Sequence, residues 1–279
     1  MKLSIITINY NNATGLKATL ESVAMQSYKE FEHIIIDGGS SDGSVPVIKS
    51  YEESIIANRF NYKTQYPLIS WKSERDRGIY DAMNKGLQKA CGEYVYFLNS
   101  GDTFVSSNIV RGMVNQMDGA DFIIGRVNEV HHEVIVGRTP LLSEHDMSFY
   151  NMFLHGLNHQ AVIIRRDVQL AHMYDETLRI GADWKFFVQA IVFDNAKLKF
   201  IDIVFANYDV SGISSNAVDL RNEREKILAD ILPERIARDY FEIAPYYYEV
   251  IRVKWLLRHP VWYKLYRGLT TLGRKITLK

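Results

Sequence analysis

Short apolar runs and helical stripes alternate along the first hundred residues of the chain. Residues 3–8 form a β-branched apolar run, and the apolar positions within residues 16–24 then recur at the spacing of one helix face. Residues 34–36 form a second run, which ends in a glycine-rich turn, and Pro46 stands where a following helix would begin. A strand, a helix and another strand in this order predict a βαβ unit of a parallel sheet.

The alternation continues to about residue 102 and then weakens. Residues 68–71 and 94–98 predict strands, and residues 79–90 carry the apolar stripe of a helix between them. Weaker strand signals follow at residues 122–124, 134–136 and 161–164, and residues 151–157 are mixed. The apolar spacing after Asp183 predicts a helix, and from about Asp219 the chain turns helical and highly charged. We therefore expect an α/β fold with an open sheet and a helical C-terminal extension.

Polar clusters follow three of the predicted strands, at residues 9–12, 37–43 and 99–102. Ligands of open α/β sheets bind at the carboxyl ends of the strands. The turn after residue 8 is rich in asparagine and lacks the Gly-x-Gly-x-x-Gly of dinucleotide-binding folds. The sequence also contains no P-loop. Acidic strand ends without a glycine cradle suggest a ligand that is held through a metal and carboxylates.

Composition and charge narrow the class of protein. The chain has 279 residues, with 33 Lys and Arg against 33 Asp and Glu, so its formal charge is zero. This balance argues against a nucleic-acid binder, which usually has a basic excess. A hydrophobic fraction of 47% is typical of a folded protein. The single cysteine, Cys91, cannot form an internal disulfide, which favours a reducing compartment, and the sequence has no apolar run long enough to span a membrane as a helix.

Four segments carry a family resemblance through their order and spacing. They are SIITINYN at residues 4–11, IIIDGGSSDG at 34–43, SERDRGIYDAMNKG at 73–86 and GEYVYFLNSGD at 92–102. Together they resemble the family 2 glycosyltransferases, and most closely the branch that builds bacterial O-antigen, capsule and colanic-acid-type polysaccharides. The resemblance covers about residues 3–215.

The resemblance implies a GT-A fold with a mixed, mostly parallel central sheet. It implies a catalytic domain at residues 1–215, with a nucleotide-sugar half at about 1–105 and an acceptor half at about 106–215, followed by an extension at 216–279. It also implies transfer of a hexose from a nucleotide-sugar, expected to be UDP-linked, with inversion at the anomeric carbon. The sequence lacks the Gln-x-x-Arg-Trp segment and flanking transmembrane helices of processive synthases, which favours transfer of a single sugar.

The same resemblance assigns donor and metal residues. By analogy, Thr7, Asn9 and Asp37 line the nucleotide pocket, Asp37 accepts a hydrogen bond from the base, and Asp76 lies near the base or ribose. The full set expected to bind the nucleotide-sugar is Thr7, Asn9, Tyr10, Asp37, Asp76, Asn84, Asn99 and Ser100. Asp102 matches the last carboxylate of the Asp-x-Asp segment, which binds Mn²⁺ or Mg²⁺. Because Asn99 and Gly101 stand where carboxylates are often found, we expect the donor and the metal to bind together.

The acceptor side has fewer motif residues. Asp183 matches the family's catalytic base, although an N-cap of the predicted helix is an alternative, since Asp is favoured there. His159 and Gln160 resemble a pair at the acceptor side, and Trp184 is expected beside them. A lone histidine next to a strand is, however, more often structural.

The C-terminal segment explains how the total charge cancels. Residues 249–279 contain eight Lys and Arg against the single acid Glu249, which leaves 25 basic and 32 acidic residues in 1–248. Aromatic residues, including Trp255 and Trp262, lie among these bases. Basic residues and aromatics on one helix are typical of a segment on an anionic membrane surface. A helix packed on the domain with a solvated basic face is the alternative.

The resulting hypothesis is a cytoplasmic enzyme that is peripheral on the inner face of the cell membrane. Its acceptor would be a saccharide linked through diphosphate to a polyprenol, and no nucleic-acid partner is expected. A sugar nucleotidyltransferase is one alternative, although residues 9–15 make a poor glycine-rich loop. A carbohydrate- or nucleotide-sugar-binding protein with a weakened active site is another alternative, which Gly101 favours.

Overall fold

The computed structural model describes residues 1–62, 65–210, 217–243 and 246–277. The chain divides into two compact units, Met1–Arg224 and Glu225–Lys279. The predicted domain boundary between residues 215 and 216 and the last basic residue, Lys279, lie outside the described residues.

The first unit contains all the strands of the central sheet. They are β1 (Leu3–Asn9), β2 (Phe31–Asp37), β3 (Leu68–Ser73), β4 (Tyr94–Phe97), β5 (Thr103–Phe104), β6 (Phe122–His131), β7 (Val134–Arg138), β8 (Val162–Arg165) and β9 (Leu198–Asp209). Its helices are α1 (Ala13–Ala24), α2 (Ser44–Tyr62), α3 (Ile79–Lys89), α4 (Ile109–Val114), α5 (Phe149–His155), α6 (Arg166–Ala171), α7 (Ala182–Phe187) and the first part of α8 (Ala217–Ile231). Short 3-10 turns at Glu144–Met147 and His159–Ala161 and a π-helix at Val188–Phe193 complete it.

The sheet is mixed, with the strand order β3-β2-β1-β4-β8-β6-β9-β5 and with β7 paired to β6. Strands β1 to β4 run parallel, so that their carboxyl ends meet at one edge. Asn9 is the register partner of Asp37, which in turn is the partner of Ser73. β8 runs antiparallel to both of its neighbours, β4 and β6. The parallel register therefore brings the predicted polar clusters of the first half of the chain together.

Apolar contacts between helices and strands fix this arrangement. β1 and β2 are buried along their whole length, as expected for strands that are covered on both faces. Leu16 and Leu20 of α1 pack with Ile35 and Ile48, and each fully buried side chain of this kind contributes roughly 1.5–3 kcal/mol. Gly86 lets α3 approach the sheet, because a Cβ at this position would lie 2.5 Å from Ile6. The predicted βαβ pattern of the first hundred residues is thus confirmed.

The second half of the first unit contains an element that the sequence pattern did not predict. β9 spans Leu198–Asp209, and most of its side chains are half-buried. Polar residues such as Asp202 and Asn207 interrupt its apolar pattern, so that it lacks both a continuous run and clean alternation. β9 nevertheless pairs with β6 and β5 and ends at the cleft described below.

The second unit is helical. It contains the rest of α8, α9 (Glu234–Ile243), α10 (Tyr247–Arg258) and α11 (Pro260–Thr277). The aromatic side chains of Trp255 and Trp262 are 48% and 56% exposed. Among the described helices, none combines the length and the apolar character that a membrane-spanning segment needs.

Candidate active site

A cleft of about 1330 Å³ lies where the parallel strands of the first unit end. Ten of the predicted site residues line it, namely Asn9, Tyr10, Asp76, Asn99, Ser100, Asp102, His159, Gln160, Asp183 and Trp184. Three others, Thr7, Asp37 and Asn84, do not. The cleft therefore joins residues that lie far apart in sequence, from the end of β1 to the start of α7.

We call the wall formed by Tyr10, Gly38 and Asp76 the donor side and the wall formed by Asp183 and Trp184 the acceptor side, after the roles that the sequence predicts. Asp37 lies beneath the donor side and is fully enclosed. Its carboxylate accepts hydrogen bonds from the side chains of Asn9 at 2.7 Å, Ser40 at 2.6 Å and Ser73 at 2.6 Å. Burial alone would raise the pKa of Asp37, but these hydrogen bonds together hold it below its usual value. Asp37 thus fixes two strand-end residues, Asn9 and Ser73, and Ser40 in the turn after β2. A contact with a nucleotide base stays a prediction, and it would require one of these donors to be released.

Thr7 and Asn84 also differ from the expected positions. Thr7 is one pleat below the end of β1, where its hydroxyl donates to the Leu98 carbonyl at 2.8 Å. Asn84 is buried under the acceptor side, where its amide group bonds to the backbone N–H and carbonyl of Tyr174 at 3.0 and 2.9 Å. Both side chains therefore support the walls of the cleft from behind, and the expectation that they line it is corrected.

Tyr10, Gly38 and Asp76 form one wall of the donor side. A Cβ at Gly38 would lie 2.5 Å from the Asp76 carboxylate and 3.1 Å from the Tyr10 ring, so a side chain at this position would displace the carboxylate. Burial raises the pKa of Asp76. Tyr10 is 66% exposed at the rim. Asp76 is therefore held close to the backbone at the end of β2, and its contact with the base or ribose stays a prediction.

The turn that carries Asp102 explains why Gly101 stands where carboxylates are often found. Gly101 has a φ of +105°, a conformation that strongly favours glycine. The Thr19 hydroxyl accepts from the Gly101 N–H at 3.0 Å and donates to the Asp102 carbonyl at 2.7 Å. The glycine thus reflects the shape of the turn, and it is no sign of a decayed site.

Asp102 is almost completely buried at the centre of the cleft. Its carboxylate accepts from the backbone N–H of Asp209 at 3.0 Å and from the side chain of Gln160 at 3.1 Å. Burial raises the pKa of Asp102 to about 6, and the neighbouring carboxylate of Asp209 adds to this. Asp209, which ends β9, was missed in the sequence because β9 itself lacks a clear pattern.

The residues around Asp102 fit a hard divalent cation that takes further ligands from a substrate. A cation would offset the cost of burying Asp102 beside a second carboxylate. The side-chain oxygen of Asn99 is buried and has no hydrogen-bond partner within the part of the chain that the structure describes. Oxygen ligands of this kind suit Mg²⁺ and Mn²⁺. In the same described ranges, no cluster of three or more His, Cys, Asp or Glu converges, so phosphate oxygens would have to complete the shell.

Asp183 lies on the opposite side of the cleft, at the second residue of α7. The N-cap of α7 is Gly181, so the alternative that Asp183 is an ordinary N-cap is wrong. Its carboxylate lies 3.3 Å from the His159 ring nitrogen Nδ1 and 3.3 Å from the Tyr80 hydroxyl. Burial, with the nearby Asp183 charge, raises the pKa of Tyr80, which keeps this hydroxyl a donor.

His159 connects this carboxylate to the turn that carries Asp102. Its Nε2 atom lies 3.1 Å from the side-chain nitrogen of Asn99, while its Nδ1 atom faces Asp183. If Nδ1 carries the proton, His159 donates to Asp183 and accepts from Asn99. A continuous line of polar contacts therefore runs from Asn99 through His159 to Asp183 across the floor of the cleft.

Trp184 closes the acceptor side next to Asp183. Its indole N–H donates to the Met152 carbonyl at 2.8 Å, and the Arg224 guanidinium lies 5.2 Å from the ring centre. Tyr80 and Arg224 were not among the predicted site residues. Tyr80 lies within a motif segment and could have been selected, whereas Arg224 lies in the predicted extension, where no motif marks it.

The comparisons with known proteins agree with this geometry. Residues 4–161 match the family model of glycosyl transferase family 2. A glycosyltransferase of Mycobacterium tuberculosis, described as uncharacterized, is 32% identical over 223 residues, which are 77% of each chain. The S. aureus TarS fragment 1–349 in complex with UDP-GlcNAc superimposes with a TM-score of 0.62 at 20% identity, covering 85% of this chain and 69% of that one.

A second solved structure supports the same fold. The mannosyltransferase PcManGT from Pyrobaculum calidifontis, in complex with GDP-Man and Mn²⁺, has a TM-score of 0.59 at 15% identity and covers 100% of this chain and 81% of that one. The family match spans more than half of the chain, and the M. tuberculosis relative adds 32% identity. The chain therefore belongs to glycosyl transferase family 2 and is a glycosyltransferase with a GT-A fold.

Proposed function

We propose that this protein is an inverting glycosyltransferase that moves one hexose from a UDP-sugar to a hydroxyl of a lipid-diphosphate-linked saccharide. The UDP-GlcNAc complex of TarS and the GDP-Man complex of PcManGT support a nucleotide-sugar donor for this fold. Membership of the family favours transfer of a sugar over the nucleotidyltransferase and binding-protein alternatives.

The observation that carries the proposal is the polar line from Asn99 through His159 to Asp183. One end of this line adjoins the turn of Asp102, and the other end is a carboxylate on the acceptor wall. A sugar bound between the two ends would have its diphosphate near Asp102 and its opposite face toward Asp183. Displacement with inversion requires these two groups on opposite faces of the anomeric carbon.

In the proposed step, Asp183 removes the proton of the acceptor hydroxyl while that oxygen bonds to the anomeric carbon. The bond from the anomeric carbon to the diphosphate breaks, and the electron pair leaves with the nucleoside diphosphate. Asp183 keeps the proton until it exchanges with water. His159 Nδ1 faces the carboxylate at 3.3 Å, and the Tyr80 hydroxyl lies at the same distance from it. A divalent cation held by Asp102 and Asn99 would offset the charge that collects on the departing diphosphate.

Bacterial surface polysaccharide synthesis is the proposed setting, with O-antigen or capsule as the product class. We further propose that residues 1–215 form the catalytic domain, with donor and acceptor halves as expected from the sequence. The extension would hold the enzyme at the inner face of the cytoplasmic membrane, where a lipid-linked acceptor is found. The exposed bases and aromatic side chains of α10 and α11, including Arg258, Trp262 and Lys264, support this proposal.

A substrate screen tests the reaction. UDP-hexoses and UDP-N-acetylhexosamines are combined with synthetic polyprenyl-diphosphate saccharides and Mn²⁺ or Mg²⁺, and the products are read by mass spectrometry. We expect one added sugar on the lipid-linked acceptor and release of UDP. If neither transfer nor metal-dependent UDP release occurs with any UDP- or GDP-sugar, the proposed function is wrong.

Flotation with anionic liposomes tests the membrane proposal separately. The full chain is compared with the double variant Arg258→Glu, Lys264→Glu, whose side chains are exposed on α10 and α11. We expect the wild type to float with the vesicles and the variant to stay in solution, since each base near an anionic surface contributes about 1 kcal/mol. The matched control is Lys49→Glu, Lys89→Glu, which makes the same charge change on exposed positions of the first unit. Equal flotation of both variants would count against this role of the extension.

A further inference from the structure

Glu223, on α8, binds the backbone just before Asp183. The Glu223 carboxylate accepts hydrogen bonds from the backbone N–H groups of Arg179 at 2.7 Å, Ile180 at 2.8 Å and Gly181 at 2.7 Å. These residues lead directly into α7, whose own N-cap side makes no side-chain hydrogen bond. Glu223 therefore holds, from more than forty residues away, three consecutive N–H groups of the backbone that leads into α7.

The same stretch of backbone is held from the other side by α3. The Tyr80 hydroxyl donates to the Ile180 carbonyl and also lies 3.3 Å from the Asp183 carboxylate. The peptide units of Ile180 are thus bonded through both the N–H and the carbonyl. Because both groups are bonded, the backbone segment that leads to Asp183 has little freedom to rotate.

The residue after Glu223 holds the other side of Asp183. Arg224 places its guanidinium 5.2 Å from the ring centre of Trp184, and a Cβ at Gly156 would lie 2.5 Å from this guanidinium. Trp184 directly follows Asp183, so two consecutive residues of α8 contact the chain on both sides of it. Both lie in the first unit but beyond residues 4–161, which match the family model.

We infer that Glu223 is a positioning residue for the glycosyl transfer: through the backbone of residues 179–181 it holds Asp183 at the place where the acceptor hydroxyl loses its proton. This inference rests on the proposed function of Asp183 as the general base. Glu223 itself touches neither donor nor acceptor. Its effect should therefore appear in the step that needs Asp183 and be absent from donor binding.

The isosteric variant Glu223→Gln tests this role in the full chain. The amide nitrogen of glutamine cannot accept a hydrogen bond, so at least one of the three backbone contacts is lost. We expect kcat for transfer to fall about tenfold, and about 100-fold for Glu223→Ala, as small misplacements of a reacting group have effects of this order. The KM and the Kd for the UDP-sugar should stay unchanged.

The contrast between kcat and donor affinity separates positioning from a general role in folding. If Glu223 only stabilised the fold, kcat, donor affinity and the melting temperature would fall together, and this result would overturn the inference. The matched control is Glu53→Gln, on an exposed position of α2, which should behave as the wild type. If Glu223→Gln transfers sugar as fast as this control, the inference is also overturned.

Asp183→Asn, measured beside these variants, distinguishes the failure of the inference from that of the proposed function. If Asp183→Asn loses transfer while Glu223→Gln keeps the wild-type rate, only the positioning role is wrong. If Asp183→Asn transfers sugar at the wild-type rate, the general base is wrong, and Glu223 would then have no base to position.

Discussion

The two sides of the cleft are built in different ways. On the donor side, Asn9, Asp37 and Ser73 are register partners on adjacent parallel strands, and their hydrogen bonds follow from that pairing. On the acceptor side, His159 and Asp183 come from a 3-10 turn and a short helix. Their contacts depend on packing between segments that no strand pairing aligns.

This difference leads to an expectation about mutations. A side fixed by strand register is rigid before any ligand binds, so its residues should determine how tightly the donor is held. On a side assembled from turns and helices, separate packing contacts place each reacting group, so its residues should determine how fast the bound sugar is transferred. Donor-side variants should therefore change donor affinity, while acceptor-side variants should change turnover.

The largest effect is expected on the acceptor side, from Asp183→Asn. The amide cannot take a proton from the acceptor hydroxyl, so kcat for transfer should fall about 10³-fold, within the range of general-base catalysis. Donor binding, measured by calorimetry with UDP and Mn²⁺, should stay at the wild-type value. Asp194→Asn, an exposed carboxylate at the end of the same helical segment, is the control. Loss of UDP binding in Asp183→Asn would mean that the two sides are not separable.

The next effect is expected at Asp102, where the two sides meet. Asp102→Asn removes the charge that would hold a divalent cation, so the metal concentration needed for half-maximal UDP-sugar binding should rise about 100-fold. Removal of metal by EDTA should likewise weaken UDP-sugar binding by the wild type. Asp118→Asn, whose side chain is exposed and paired with Lys199, should leave the metal requirement unchanged. An unchanged requirement in Asp102→Asn would place the metal elsewhere.

The contrast between the two sides also explains what the sequence could predict. Apolar runs and their polar ends predicted β1 to β4 and brought Asn9, Asp37 and Asp102 to one edge, because parallel register follows from local pattern. Glu223 could not be predicted, since its three bonds arise from the packing of α8 against a turn more than forty residues away. Thr7 was expected in the wall of the cleft because of the family resemblance, whereas its hydrogen bond to the Leu98 carbonyl holds it behind that wall.

A smaller effect is expected from Gly38→Ala on the donor side. The added Cβ would lie 2.5 Å from the Asp76 carboxylate and would push it away from the end of β2. We expect the Kd for UDP to rise about tenfold, or 1.4 kcal/mol, with kcat nearly unchanged. Gly112→Ala is the matched control, because no atom of the described residues lies within 4 Å of a Cβ at that position. A fall in kcat without a change in Kd would reverse the assignment of roles to the two sides.

The smallest effect concerns the support of the donor side. His33 is completely buried between the hydroxyls of Thr7 and Tyr51, and burial lowers its pKa to about 3. The unfolded chain, with a histidine pKa near 6.5, binds the proton first, so stability is lost as the pH falls below 6.5. Between pH 6.5 and 5.5 the free energy of unfolding, measured with urea, should fall by about 1 kcal/mol through this histidine. The variant His33→Gln should not show this fall. His145→Gln, an exposed control, should keep it. An equal pH dependence in wild type and His33→Gln would mean that water reaches this ring, and that the donor side is less rigid than its strand register implies.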